Sequence, residues 1–136
     1  MVIWNEQFAT GSTIIDAHHR MLINHINELE MLLNKSNPDR KECEFIVGLV
    51  DFLESYAATH FKFEEQCMER YHCPAPARNQ QEHRQFMEFF CDFKKRCQAE
   101  GFRPDTLRSL HRMASRWIQM HILQVDSQLK PCILAQ

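Results

Sequence analysis

Glycine and proline are scarce in this 136-residue chain, three and five residues respectively, too few for the many tight turns of a sheet protein. No apolar run is long enough to cross a bilayer, and residues 1–15 lack a basic start followed by an apolar stretch, so neither a membrane span nor a leader is expected. An excess of positive charge is also missing. Sixteen basic residues face eighteen acidic ones, for a net charge of −2, and they are scattered, which excludes a broad phosphate-binding face; neither nucleic acid nor a membrane surface is an expected partner. The cysteines Cys43, Cys67, Cys73, Cys91, Cys97 and Cys132 contain no C-x-x-C pair. A chain of this length can build a core without staples, so they are read as reduced thiols of a cytoplasmic protein. Repeats and low-complexity tracts are absent as well, and the balance of 44% hydrophobic and 25% charged residues fits one folded domain over residues 1–136.

What the sequence does have is helical periodicity. An irregular N-terminal arm, 1–16, carries the apolar anchors Trp4 and Phe8, turns at Gly11 and Ser12, and offers Asp16 as an N-cap. Apolar residues at steps of three and four then predict helices over about 17–33, 40–70, 77–99 and 104–129. The breakers are Asn34-Lys35-Ser36-Asn37-Pro38, Cys73-Pro74-Ala75-Pro76, Gly101 and Pro131, and Asp39 can cap the second helix. Connections this short favour antiparallel neighbours, so the expected fold is all-α, an up-down-up-down four-helix bundle.

Each apolar stripe also carries polar residues. Stepping back from Leu22, Ile26, Leu29 and Leu33 lands on His19; continuing from Ile46, Leu49, Leu53 and Tyr56 gives His60, Glu64 and Cys67. Phe86, Phe90, Phe93 and Cys97 lead back to His83 and Asn79, while Leu107, Leu110, Ala114 and Trp117 lead on to His121, with Asp126 five residues further. In an up-down bundle, the starts of the first and third helices lie level with the ends of the second and fourth. Four imidazoles and two carboxylates therefore collect in one layer. A single inward histidine is more often a hydrogen-bonded core residue, and His60/Glu64 alone would pass as a local pair. Six such groups together need a common partner, because unpaired buried charge is very costly. Imidazole and carboxylate donors without thiolate suit iron, manganese or zinc, and six donors exceed what one zinc needs, so two irons are the economical occupants. Ferritin-like bundles, with paired Glu-x-x-His motifs, fit poorly: the single such motif, Glu69 to His72, ends a helix. Cys67, Met68, Met87, Met113 and Met120 read as core filling.

Trp4, the run Ile15-Asp16-Ala17-His18-His19-Arg20-Met21-Leu22, then His60-Phe61-Lys62-Phe63-Glu64-Glu65, Glu82-His83 and His121-Ile122-Leu123-Gln124-Val125-Asp126 resemble bacterial hemerythrins over nearly the whole chain. The resemblance implies a four-helix bundle holding an oxo- or hydroxo-bridged pair of iron ions (Fe2+/Fe3+) that binds dioxygen, with nitric oxide or peroxide as further small ligands. It implies that His19 and His60 hold the iron that takes dioxygen, that His83 and His121 hold the other, and that Glu64 and Asp126 bridge both. One departure stands out. Where the family usually has a fifth histidine, one turn before His83, this chain has Asn79, a weak neutral donor or a vacant position. His18 stands where the family often has Gln; it is a candidate substitute ligand, with an exposed position beside His19 as the alternative.

Leu22, Phe61, Trp117 and Ile118 are expected to wall the oxygen pocket, with Phe86 and Phe90 as further candidates. A position short of one imidazole should hold its metal less firmly and shift its redox potential. That favours an oxygen or redox sensor over a storage protein, joined to a C-terminal signalling output domain. The competing readings are a free-standing oxygen- or iron-handling protein and a di-iron peroxidase or oxidase working at the open position near Asn79; no general base supports the enzyme, and none is expected.

Overall fold

The computed structural model describes residues 1–35, 39–73, 76–101 and 103–134, and among these there is no strand. Five helices form: α1 (Thr13–Leu33), α2 (Arg40–Arg70), α3 (Pro76–Ala99), α4 (Pro104–Gln124) and the short α5 (Leu129–Leu134). A 3-10 turn at Glu6–Phe8 orders part of the arm, and another at Asp126–Gln128 separates α4 from α5. The fold is the expected all-α four-helix bundle. The expected breakers Ser36, Asn37, Pro38, Pro74 and Ala75 lie outside the described residues.

Local chemistry explains the boundaries and corrects two expectations. Ser12, not Asp16, caps α1: its hydroxyl accepts the Ile15 N–H at 3.2 Å. The Asp16 carboxylate instead accepts the Thr10 amide at 2.9 Å and the Thr10 hydroxyl at 2.8 Å, tying the arm down. Gly11, at φ +87, makes the bend between them. Asp39 does cap α2, accepting the Glu42 N–H at 2.8 Å. At the other end of α2, His72 adopts φ +53, and the Cys73 N–H reaches back to the Met68 carbonyl at 2.9 Å, closing the last turn. The second correction concerns the fourth helix, which stops at Gln124 rather than continuing to 129, and Pro131 sits inside the first turn of α5 rather than ending regular structure.

Packing follows chain order, α1 on α2, α2 on α3, α3 on α4, and α1 on α4 closes the ring. Directions alternate: Arg108 near the start of α4 donates to the Leu33 carbonyl at the end of α1 (3.1 Å), while His83 near the start of α3 meets His121 near the end of α4. The main core runs through Leu22, Ile26, Leu29, Leu53, Phe86 and Leu110, each almost fully buried and each contributing about 1.5–3 kcal/mol from burial. Trp4 packs on this core, 5.6 Å from Phe8 and under the Arg20 guanidinium at 4.7 Å. Met120 is exposed (43%), against its expected place in the core.

A second, smaller cluster of Ile15, Met68, Cys73 and Leu129 closes the opposite end, with Cys67 at its edge. There Cys73 and Cys132 form a disulfide with Cα atoms 5.7 Å apart. The expectation of reduced thiols is thus wrong for this pair; chain length removes the need for a cross-link but does not prevent one where two Cβ vectors meet. That bond also removes one of the reasons for a cytoplasmic placement. No helix of the described residues is long and apolar enough to cross a membrane.

Candidate metal centre

Four helical stripes and one irregular turn bring His19, His60, Glu64, His83, His121 and Asp126 into a single layer, none more than 4% exposed. All four imidazoles present the same nitrogen inward. His19 Nε2 lies 3.2 Å from Glu64 Oε2 and 3.2 Å from Asp126 Oδ2, and His60 Nε2 lies 3.0 Å from Glu64 Oε2. Across the layer, His83 Nε2 is 3.3 Å from Glu64 Oε1, and His121 Nε2 is 3.1 Å from Asp126 Oδ1. Each carboxylate therefore straddles the layer, one oxygen toward His19 and the other toward His121 or His83.

The break after Gln124 is what places Asp126. Five residues beyond His121, a straight helix would turn its carboxylate about 140° off the histidine face; the tight turn at Asp126–Gln128 brings it back. Asn79, fully buried on the first turn of α3, donates through Nδ2 to Glu64 Oε1 (3.0 Å) and to Met68 Sδ (2.7 Å), while its Oδ1 lies 3.1 Å from His121 Nε2. An amide oxygen thus stands among the inward nitrogens.

Electrostatics show how the layer is balanced. Burial alone would push the His19 ring down, but the Asp126 and Glu64 carboxylates beside it raise its pKa to about 9. Burial likewise opposes protonation of His121, and the same two carboxylates overcome it, lifting the pKa to about 10. Burial would raise Glu64, yet its bonds to Asp126, His121, His19 and His60 hold it well below the usual carboxylate range. For His60, burial outweighs Glu64 and keeps the ring below its ordinary value.

Do these residues fit a metal? The Nε2 atoms of His83 and His121 lie 3.0 Å apart, a contact that is favourable only while a proton stays between them. Asp126 Oδ1 is buried and makes no hydrogen bond, although His121 Nε2 is 3.1 Å away. A cation among these donors would take the place of the protons, because imidazole and carboxylate must shed protons to bind it. The residues sort into two overlapping groups able to hold an ion, Glu64, His83, His121 and Asp126 in one and His19, His60 and Glu64 in the other, with donor atoms in each group within 4.8 Å of one another.

The remaining candidates fall around this layer. His18 is not among the donors: its Nδ1 pairs at 3.0 Å with His60 Nδ1, on the outer side of that ring. Leu22, Phe61, Trp117 and Ile118 line one small void together with His19, His60, His121, Asp126 and Ile122. Its free volume is about 10 Å³, the room that one water-sized molecule needs. Phe86 and Phe90 are core residues outside that lining. Phe61 stacks flat on His83 (4.0 Å, 10°) and Trp117 on His121 (4.4 Å, 10°). Cys67 is half-buried in the second cluster, where burial raises its thiol pKa. Sequence reasoning missed Met68 as a contact of Asn79 and Ile122 as a wall; both sit on the inward stripes that flag ordinary core.

Comparison with known proteins bears on the chemistry of this layer. A family model described as "Hemerythrin HHE cation binding domain" matches residues 10–133. A bacteriohemerythrin of Stenotrophomonas maltophilia (strain R551-3) is 29% identical over 123 residues, covering 90% of this chain and 74% of the relative. One from Pseudomonas aeruginosa (strain LESB58) is 28% identical over 126 residues, 93% of this chain and 77% of the relative. Another, from Pseudomonas paraeruginosa (strain DSM 24068 / PA7), is 29% identical over 126 residues with the same coverage.

Proposed function

The chain belongs to the hemerythrin HHE cation-binding family, and from that premise we propose that it holds a bridged pair of iron ions and binds dioxygen as an oxygen or redox sensor. The observation that carries this reading is the straddling of Glu64 and Asp126 between two sets of inward Nε2 atoms. In it, His19 and His60 would hold one ion, His83 and His121 the other, and the carboxylates of Glu64 and Asp126 would serve both. When bound, the iron pair supplies two adjacent one-electron centres that take up and release dioxygen.

The chain's own residues supply the rest. The void beside His19 and His60 admits one small molecule, and its walls of Leu22, Phe61, Trp117 and Ile118 exclude bulk water. Nitric oxide and peroxide are further candidate ligands there, and an organic molecule has no room in a space of about 10 Å³. Asn79 Oδ1 is the neutral donor available where the family usually has histidine. Amide oxygen donates less than imidazole, so the second ion is held less firmly and changes redox state more readily, which suits sensing better than storage. An output domain joined beyond α5 would read that change.

Anaerobic loading with iron(II), metal counting, and absorption spectra before and after air test the reading. Two irons per chain, with oxo-bridge charge-transfer bands after air, are expected; one iron or none would overturn it. For the sensing part, Asn79→His should slow oxidation of the loaded protein in air, and an unchanged rate would return the protein to plain oxygen or iron handling.

A further inference from the structure

With Nε2 inward on all four imidazoles, each Nδ1 points outward, to the place where a backing group sets the ring's tautomer and donor strength. The backing differs around the layer. His60 Nδ1 meets the neutral ring of His18 at 3.0 Å, and His19 Nδ1 is buried with no hydrogen-bond partner. Behind His121 Nδ1, at 3.5 Å, lies Glu82 Oε2; both atoms are buried and neither has a hydrogen-bond partner, so they face each other as a close ion pair. Behind His83 Nδ1, which is also without a hydrogen-bond partner, Glu65 Oε1 lies at 3.9 Å. Carboxylates thus stand behind the two imidazoles that share their side of the layer with Asn79, and behind neither of the others. Arg78 Nε lies 3.6 Å from the same Glu82 oxygen.

We infer that Glu82, assisted by Glu65, is a positioning residue that offsets the histidine missing at position 79; this rests on the iron-pair reading above. A carboxylate drawing on the Nδ1–H shifts electron density toward Nε2 and makes the ring a stronger donor to a hard cation. It also keeps the hydrogen on Nδ1, so that Nε2 stays free for the ion. Where the family usually has a third imidazole, this side of the layer has an amide, and part of the lost donation is returned through the two rings that remain, enough to retain the ion but not to match a third imidazole. Glu82 and Glu65 each adjoin a layer residue in sequence, Glu82 before His83 and Glu65 after Glu64. That adjacency puts them on the flank of their helices, within reach of the backs of the rings rather than in the layer itself.

The test is a metal titration in four backgrounds: wild type, Glu82→Gln, Asn79→His, and the double variant, each with iron(II) under nitrogen against a competing chelator. Glu82→Gln keeps the shape and removes the charge, and should weaken one of the two ions roughly 10- to 100-fold while leaving the other in place. Glu82→Asp should recover most of that loss, and cobalt(II) loading should show the visible bands of one site shifted and the other unchanged. With histidine restored at position 79, Glu82→Gln should cost far less; that non-additivity is a signature a merely structural role would not give. Glu65→Gln should act in the same direction with a smaller effect, which keeps the test open if Glu82→Gln folds poorly. Two ions held equally well by wild type, Glu82→Gln and Glu65→Gln would overturn the inference alone. So would a loss of the same size whether position 79 carries asparagine or histidine. Fewer than two ions in the wild type would overturn the iron-pair reading and this inference with it.

Discussion

The two sides of the layer each carry two inward histidines and share two carboxylates, but only one adds Asn79, and they meet different surroundings. His19 and His60 open onto a void large enough for one small molecule, and the backing of His60 is a neutral ring. His121, from the other side, also lines that void, whereas His83 and Asn79 do not reach it. On their side the rings lie flat beneath Phe61 and Trp117 with carboxylates behind them. The two sides differ most in what stands behind the rings. The donors alone do not create that difference; it comes from neighbours that never enter the layer.

The largest effect is expected where the two sides meet. Glu64 gives one oxygen to each side, so Glu64→Ala should empty both, with losses beyond the roughly 100-fold that outer partners reach. Metal analysis after desalting would show this, and a variant retaining one tightly held iron would break the idea that Glu64 spans the layer.

A smaller effect concerns protons. In the metal-free protein, His19 and His121 have pKa values raised from 6.5 to about 9 and about 10. Groups raised in this way add stability that is fully present below pH 6.5 and is lost as pH climbs through 9 to 10. The metal-free melting temperature should therefore fall progressively as pH rises from about 6.5 to about 10. With iron on the same nitrogens, the loaded protein should stay level until well above that range; a parallel decline in both forms would remove these protons from the account.

The smallest effect sharpens the contrast in backing. His18→Gln keeps a neutral partner for His60 and should change iron affinity less than about 10-fold, below the loss expected for Glu82→Gln. A larger loss at His18 would reverse the contrast between the two sides.

Much of this was legible in the sequence because helices repeat at steps of three and four. His19, His60, Glu64, His83 and His121 each fall on an apolar stripe, and the stripes alone bring them to one level. Asp126 was harder. Its five-residue spacing from His121 marks a departure from the helix, but apolar residues beyond it continue the pattern, and the tight turn appears only once the carboxylate has partners across the layer. Asp16 lost the cap of α1 to Ser12 for a similar reason: Thr10, brought close by the folded arm, takes its carboxylate. The pairing of Cys73 with Cys132 and the backing of His121 by Glu82 depend on which helix flanks touch, and no periodicity within one segment records that.

The disulfide has a consequence of topology. Closing Cys73 onto Cys132, 59 residues apart, makes a covalent ring whose circumference carries Asn79, His83, His121 and Asp126, while His19, His60 and Glu64 remain on the open strand that leads into it. Even when the helices separate, those four residues stay tethered within one closed loop and lose less freedom on reassembly. His19 and His60 lie outside that loop and gain no such tether from it.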